Sequence, residues 1–140
     1  MPRRARKKKR QPRWAAWPDE RLLKLPLRDH KLPFRGTWLS GCLRELHDEM
    51  REKGLKVRPH GWLSSEWFSP SDAPGIAFPF YLAHPRLLKL ERKFMREVEG
   101  GTDVECMRIL RHEAGHALDN AFRLHFKRQW IRTFGSFAQK

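Results

Sequence analysis

The residues best equipped for chemistry in this 140-residue chain are His112-Glu113-Ala114-Gly115-His116. His-Glu-x-x-His on a helix supplies two zinc ligands and a general base within five positions. At 3.6 residues per turn, His112 and His116 lie about 40° apart around the helix and one turn apart along it, so both imidazoles can address one ion. Glu113, about 100° from His112, is poorly placed as a ligand but can reach a water held in the open coordination position. Zinc draws the pKa of such a water towards about 7, and a carboxylate can accept its proton and pass it to a leaving amine.

Chance is a weak competitor. With 7 His and 10 Glu in the chain, the pattern is expected roughly 0.02 times by composition alone. The pattern also needs a helix, and the sequence provides one. Thr102-x-x-Glu105 reads as a capping box, and from Val104 to Leu124 the only breaker is Gly115. On that helix Met107, Leu110, Ala114, Ala117, Leu118 and Ala121 share one side, while Arg108, His112, His116, Asp119 and Arg123 share the other. Exposed or capping histidines on a solvated face are the ordinary alternative; the intervening Glu113 favours a metal site. Gly115 costs about 1 kcal/mol relative to Ala, and close approach of a neighbouring backbone is the expected reason for it.

A catalytic zinc needs a third protein ligand. The metzincin continuation requires Gly at 119 and His at 122, where the chain has Asp119 and Phe122. A gluzincin takes a Glu from a following helix, yet residues 117–140 contain none. Asp119 suits an outer role, accepting a hydrogen bond from a ligand histidine. His125 projects to the opposite face if the helix is unbroken. His60, His84, Glu91, Glu97 and Glu99 are upstream alternatives, and His84 reads better as a cap-region residue. The leading expectation is a ligand carried by an element beyond Lys140.

The run from Arg111 to His125, Arg-His-Glu-Ala-Gly-His-Ala-Leu-Asp-Asn-Ala-Phe-Arg-Leu-His, resembles the core of a bacterial family of zinc-binding metallopeptidases of gluzincin type. Ala77 to Leu87, Ala-Phe-Pro-Phe-Tyr-Leu-Ala-His-Pro-Arg-Leu, is similar to the segment before that core, and the likeness spans roughly residues 35–135. The resemblance implies a zincin fold, zinc on His112 and His116, Glu113 as base, and a third Glu from a later helix. The chain departs from the family pattern by ending at Lys140.

Composition bounds the rest. A chain 39% hydrophobic and 33% charged supports one domain with a modest core. Residues 3–13 carry eight Lys and Arg and no acid, more than half of the formal charge of +14. Residues 1–16 are therefore expected to be a disordered basic tail, with weak, nonspecific attraction to nucleic acid as its physical consequence. Trp17 is expected to anchor the start of a metallopeptidase domain over 17–140. No apolar run approaches a membrane span or a signal peptide, so no membrane partner is expected and the compartment reads as cytoplasmic. Cys42 and Cys106 fall on expected helices and read as buried free thiols.

Between tail and motif, Thr37 to Lys53 forms an amphipathic helix with Leu39, Leu43, Leu46 and Met50 inward, ending at Gly54. Leu55 to Arg58 and Trp62 to Phe68 suggest short strands. Ile76 to Leu82, interrupted by Pro79, reads as an edge strand or extended loop able to pair with substrate backbone. His84-Pro85 opens a helix through about Val98. Residues 126–137 carry apolar groups at 126, 130, 131 and 134. Packing on the domain is the ordinary reading of that basic amphipathic end, and contact with a membrane or partner the other.

The expectation is thus an α+β, zincin-like domain with a small sheet and the motif on its active-site helix, incomplete at the C-terminus. Its function would be zinc-dependent hydrolysis of a peptide or protein substrate. A noncatalytic nucleic-acid-binding module and an inactive, truncated peptidase are the alternatives.

Overall fold

Thr37 begins the first long element. Its Oγ1 accepts a hydrogen bond from the Ser40 N–H, and helix α2 follows over Trp38–Glu52. In the computed structural model, which describes residues 10–72 and 74–136, Leu39, Cys42, Leu43, Leu46 and Met50 line the buried side of that helix. Gly54 ends it at φ +73°, a left-handed conformation that favours glycine. These features match the sequence expectation closely, because caps and apolar periodicity are local signals.

The chain divides into two compact units, one ending at Lys31 and the other beginning at Leu32. In the first, 3-10 turns at Arg13–Ala16 and Leu27–His30 flank a short helix α1, Asp19–Leu22. Trp14 is buried and its indole N–H donates to the His30 carbonyl at 3.0 Å. Trp17 is half-buried and lies under the Arg21 guanidinium. Trp14, rather than the expected Trp17, is thus the buried tryptophan, and ordered backbone begins within the segment read as tail. Residues 1–9 of that tail lie outside the described residues.

The second unit is mixed α and β. Strands β1, His60–Ser64, and β2, Gly75–Pro79, pair in parallel with Trp62 opposite Ala77. An isolated antiparallel bridge joins Phe68 to Ala77. β2 is therefore flanked on both sides, and all five of its residues are buried. The expected edge strand is an interior one, and its backbone at Ala77 is already occupied. Pro79 closes the strand and a 3-10 turn, Phe80–Ala83, follows. Leu55 to Arg58 forms no strand.

Helix α3 covers Pro85–Phe94, shorter than expected because Met95 is extended. Pro85 occupies the first turn and the His84 imidazole accepts from the Arg86 N–H at 3.1 Å, confirming its cap role. Helix α4, Asp103–Phe122, starts where Thr102 Oγ1 accepts from the Glu105 N–H, as the capping box implied. Its Cys106, Met107, Leu110 and Ala114 join the α2 face, Ile76, Phe78 and Leu82 in one core. Cys42 and Cys106 are buried and form no disulfide, Cys42 Sγ lies 4.0 Å from Asp103 Oδ1, and burial pushes both thiols above the ordinary range. Among the described residues no helix is long and apolar enough to cross a membrane.

Two predictions follow from this packing. A Cβ at Gly75 would run into the six-membered ring of Trp62, which is packed beside His60 and Phe68 and would have to shift. Gly75→Ala should lower unfolding free energy by about 1–3 kcal/mol. Adding Trp62→Leu should recover part of that loss in denaturant melts, and simple additivity would contradict the clash. The second concerns His84, whose pKa burial pushes below the ordinary value. The unfolded chain then binds the proton more readily, so this contribution is complete above about pH 6.5 and is lost as pH falls below it. Protonation of the accepting nitrogen also removes the cap, an effect of about 1 kcal/mol. Thermal melts at about pH 7.5 and about pH 5.5 should show a smaller acid loss in His84→Asn, which keeps an acceptor without titrating.

Candidate metal centre

What α4 buries decides what it presents. Cys106, Leu110, Ala114 and Ala117 face the core, and His112 and His116 emerge exposed on the other side. Their Nε2 atoms are 3.1 Å apart, with ring centroids at 4.8 Å and planes at 82°. Two nitrogens each 2.0–2.1 Å from a tetrahedral ion stand about 3.3 Å apart, so the pair suits two adjacent coordination positions. Glu113 is half-buried and, among the described residues, carries no hydrogen bond or ion pair. Its carboxylate is uncommitted.

Two polar ties supplement the apolar packing that orients the helix. Arg111, immediately before His112, donates to both carboxylate oxygens of Glu49 on α2, at 3.0 and 2.6 Å. The guanidinium holds the Glu49 carboxyl below its usual range. Asn120 donates to the Pro70 carbonyl at 3.1 Å, joining the second half of α4 to the loop before β2. Neither tie was visible in the sequence, since both link residues at least fifty positions apart and no local pattern encodes such a pairing.

Two expectations around the motif change. Gly115 meets nothing within 4 Å of a Cβ position, so no backbone approaches it. It borders instead an open depression of about 500 Å³ between α2 and α4, lined by Leu46, Met50, Leu55, Ala114 and Leu118 with Glu49 and Arg111 at its rim. The helix also stops at Phe122, because Arg123 turns left-handed at φ 52°. His125 is consequently not carried to the opposite face. It folds back so that its main-chain N–H and its Nδ1 both meet Asp119 Oδ1, each at 2.8 Å. Asp119, read as a partner for a ligand histidine, here supports His125; among the described residues it bonds to neither His112 nor His116.

Among the described residues, no group of three His, Cys, Asp or Glu side chains is placed to hold a metal ion. His84 caps α3, His60 stacks on Trp62 with ring centroids 5.0 Å apart, and Glu97 and Glu99 border a cleft at the start of α4. Glu91 is half-buried within α3. None of these upstream alternatives completes the pair. Among the described residues the donor set therefore fits two positions of a zinc site and supplies no third.

With two short strands and predominant helix, the second unit is an α+β arrangement. Comparison with protein-family models, with curated proteins and with solved structures finds no match in any of the three.

The Asp119 turn yields a direct test. Asp119→Ala removes the acceptor for the His125 amide, and a hydrogen bond to a charged group contributes about 1.5–3 kcal/mol. Hydrogen exchange at that amide should accelerate by roughly tenfold or more. Unchanged exchange would show that the left-handed turn at Arg123 holds without the carboxylate.

Proposed function

We propose that the chain is a zinc-binding protein of the metallopeptidase class, with His112 and His116 as ligands and Glu113 as the general base for peptide-bond hydrolysis. The observation that carries this reading is the pair of exposed Nε2 atoms 3.1 Å apart on one helical turn, with an uncommitted carboxylate between them in sequence. The resemblance of residues 111–125 to zinc-binding metallopeptidases points the same way. A bound zinc would supply Lewis acidity, polarising a carbonyl and making a coordinated water more acidic.

The chain's own groups divide the remaining work. The two imidazoles bind, with α4 fixing their spacing. Glu113 takes the proton from the attacking water as the new carbon–oxygen bond forms, then returns it to the amine nitrogen as the carbon–nitrogen bond breaks. Arg111 has a positioning role: its bidentate tie to Glu49 resists rotation of α4 next to the first ligand. Two protein donors hold zinc less firmly than the three usual in catalytic sites.

Metal analysis tests the binding step separately from the chemistry. Protein purified without chelator should contain roughly one zinc per chain, and His116→Ala should contain little. Equal zinc in the two would refute the ligand assignment. On a peptide library, Glu113→Gln should keep its zinc and lose cleavage by roughly 10²-fold or more; cleavage surviving in that variant would remove Glu113 from the mechanism.

A further inference from the structure

The segment after α4 was expected to pack on the domain, and it does so only in part, with Leu124, His125 and Trp130 half-buried. Residues Leu124–Phe126 form a 3-10 turn and Arg128–Phe134 form helix α5, and neither contains a buried residue. Phe122, Phe126, Ile131 and Phe134 are 49%, 61%, 42% and 71% exposed. Four of the ten large exposed apolar side chains among the described residues thus fall within thirteen positions. Isolated exposed apolar residues are ordinary; a concentrated set marks a contact surface.

Charge identifies the kind of contact. From Asn120 onward the sequence contains no Asp or Glu, while Arg123, Lys127, Arg128 and Arg132 are all exposed. On α5 the side chains of Trp130, Ile131 and Phe134 span an arc of about 100°, with Arg128 and Arg132 on the adjoining arc. An apolar stripe bordered by arginines suits the boundary between lipid headgroups and acyl chains, where the stripe enters the bilayer and the cations meet anionic headgroups. Nucleic acid fits less well. Ile131 offers no ring for a base to stack on, and the rings of Phe126, Trp130 and Phe134 already have neighbours: His125 lies 4.2 Å from Phe126, Arg123 sits 4.9 Å over it, and Trp130 lies 4.7 Å from Phe134.

We infer that residues 122–134 form a peripheral docking surface for anionic membranes, lying in the interface without spanning it. This is independent of zinc binding. The contact combines apolar insertion with charge attraction, so it weakens with salt but does not vanish as a purely electrostatic contact would.

The test uses the whole chain with vesicles of phosphatidylcholine, alone or containing about one-third phosphatidylglycerol. Wild type should co-sediment with the anionic vesicles and not with the neutral ones, retaining part of its binding at about 0.5 M salt. Lipids brominated on the acyl chain should quench tryptophan fluorescence in the wild type and do so much less in Trp130→Phe. Phe126→Ser/Ile131→Ser/Phe134→Ser, all at exposed positions, should weaken binding by roughly tenfold or more while leaving the thermal melt unchanged. Three results would overturn the inference. One is equal binding by the triple-serine variant without quenching, which would assign the contact to the basic residues 3–13. Another is tighter binding of a single-stranded oligonucleotide that the same substitutions abolish. The third is concentration-dependent self-association of the wild type, absent from the variant, which would make a second copy the occupant.

Discussion

Burial of one side of α4 is the constraint from which the remaining geometry follows. Leu110 and Ala117 are fully buried on that helix, and Met107 and Ala114 nearly so, against a core shared with α2 and β2. Rolling α4 by one residue, about 100°, would bring side chains of the histidine edge inward and expose leucine. Each displaced leucine would cost about 1.5–3 kcal/mol, and an imidazole buried without a partner would add a desolvation penalty. The two histidines are thus held outward by apolar packing elsewhere. Arg111 and Glu49 add precision at the rim of this packing; as an exposed ion pair they contribute little to stability.

That dependence explains which parts of the fold were legible. The starts of α2, α3 and α4 were read correctly from Thr37, His84-Pro85 and Thr102-x-x-Glu105, because capping is settled within one turn of chain. The buried face of α4 was legible for the same reason, through its 3.6-residue period. The sheet was legible only in part. Strand β1 shares residues 62–64 with the expected strand Trp62 to Phe68, and β2 shares 76–79 with the expected run Ile76 to Leu82, but the strand limits and the parallel register across a loop were not readable. A strand covered on both sides shows a continuous apolar run with no alternation to read. Gly75-Ile76-Ala77-Phe78-Pro79 is such a run, and Pro79 made it look peripheral although it only marks the end.

The misread features near the motif have a different origin. Arg123 takes a left-handed conformation usually left to glycine or asparagine, so nothing in its identity announced the end of α4. Asp119 supplies part of the reason, since two hydrogen bonds from His125 favour the reversed path over another helical turn. Gly115 was read as a packing residue because glycine in a helix interior needs a cause. Its surroundings are open, and it forms part of the join between the histidine edge and the apolar depression toward α2. Nothing in the structure explains why alanine would not serve there.

The same geometry restricts where a third donor to the proposed site would have to come from. His112 lies about 170° and His116 about 130° around α4 from the centre of its buried face, so a donor cannot reach them through the core. Glu97 and Glu99 border the beginning of α4, and the rise from Thr102 to His112 is about 15 Å of helix, too far for a glutamate side chain to span. Further along the histidine edge, the groups with donor atoms are Asp119 and His125, and they are already committed to each other. An ion that recruited either one would have to break hydrogen bonds to a carboxylate, each contributing about 1.5–3 kcal/mol. Metal affinity at the histidine pair and order in the turn after Phe122 would then oppose one another. A donor approaching from outside the α2–α4 pack, over the exposed edge, would leave that turn intact.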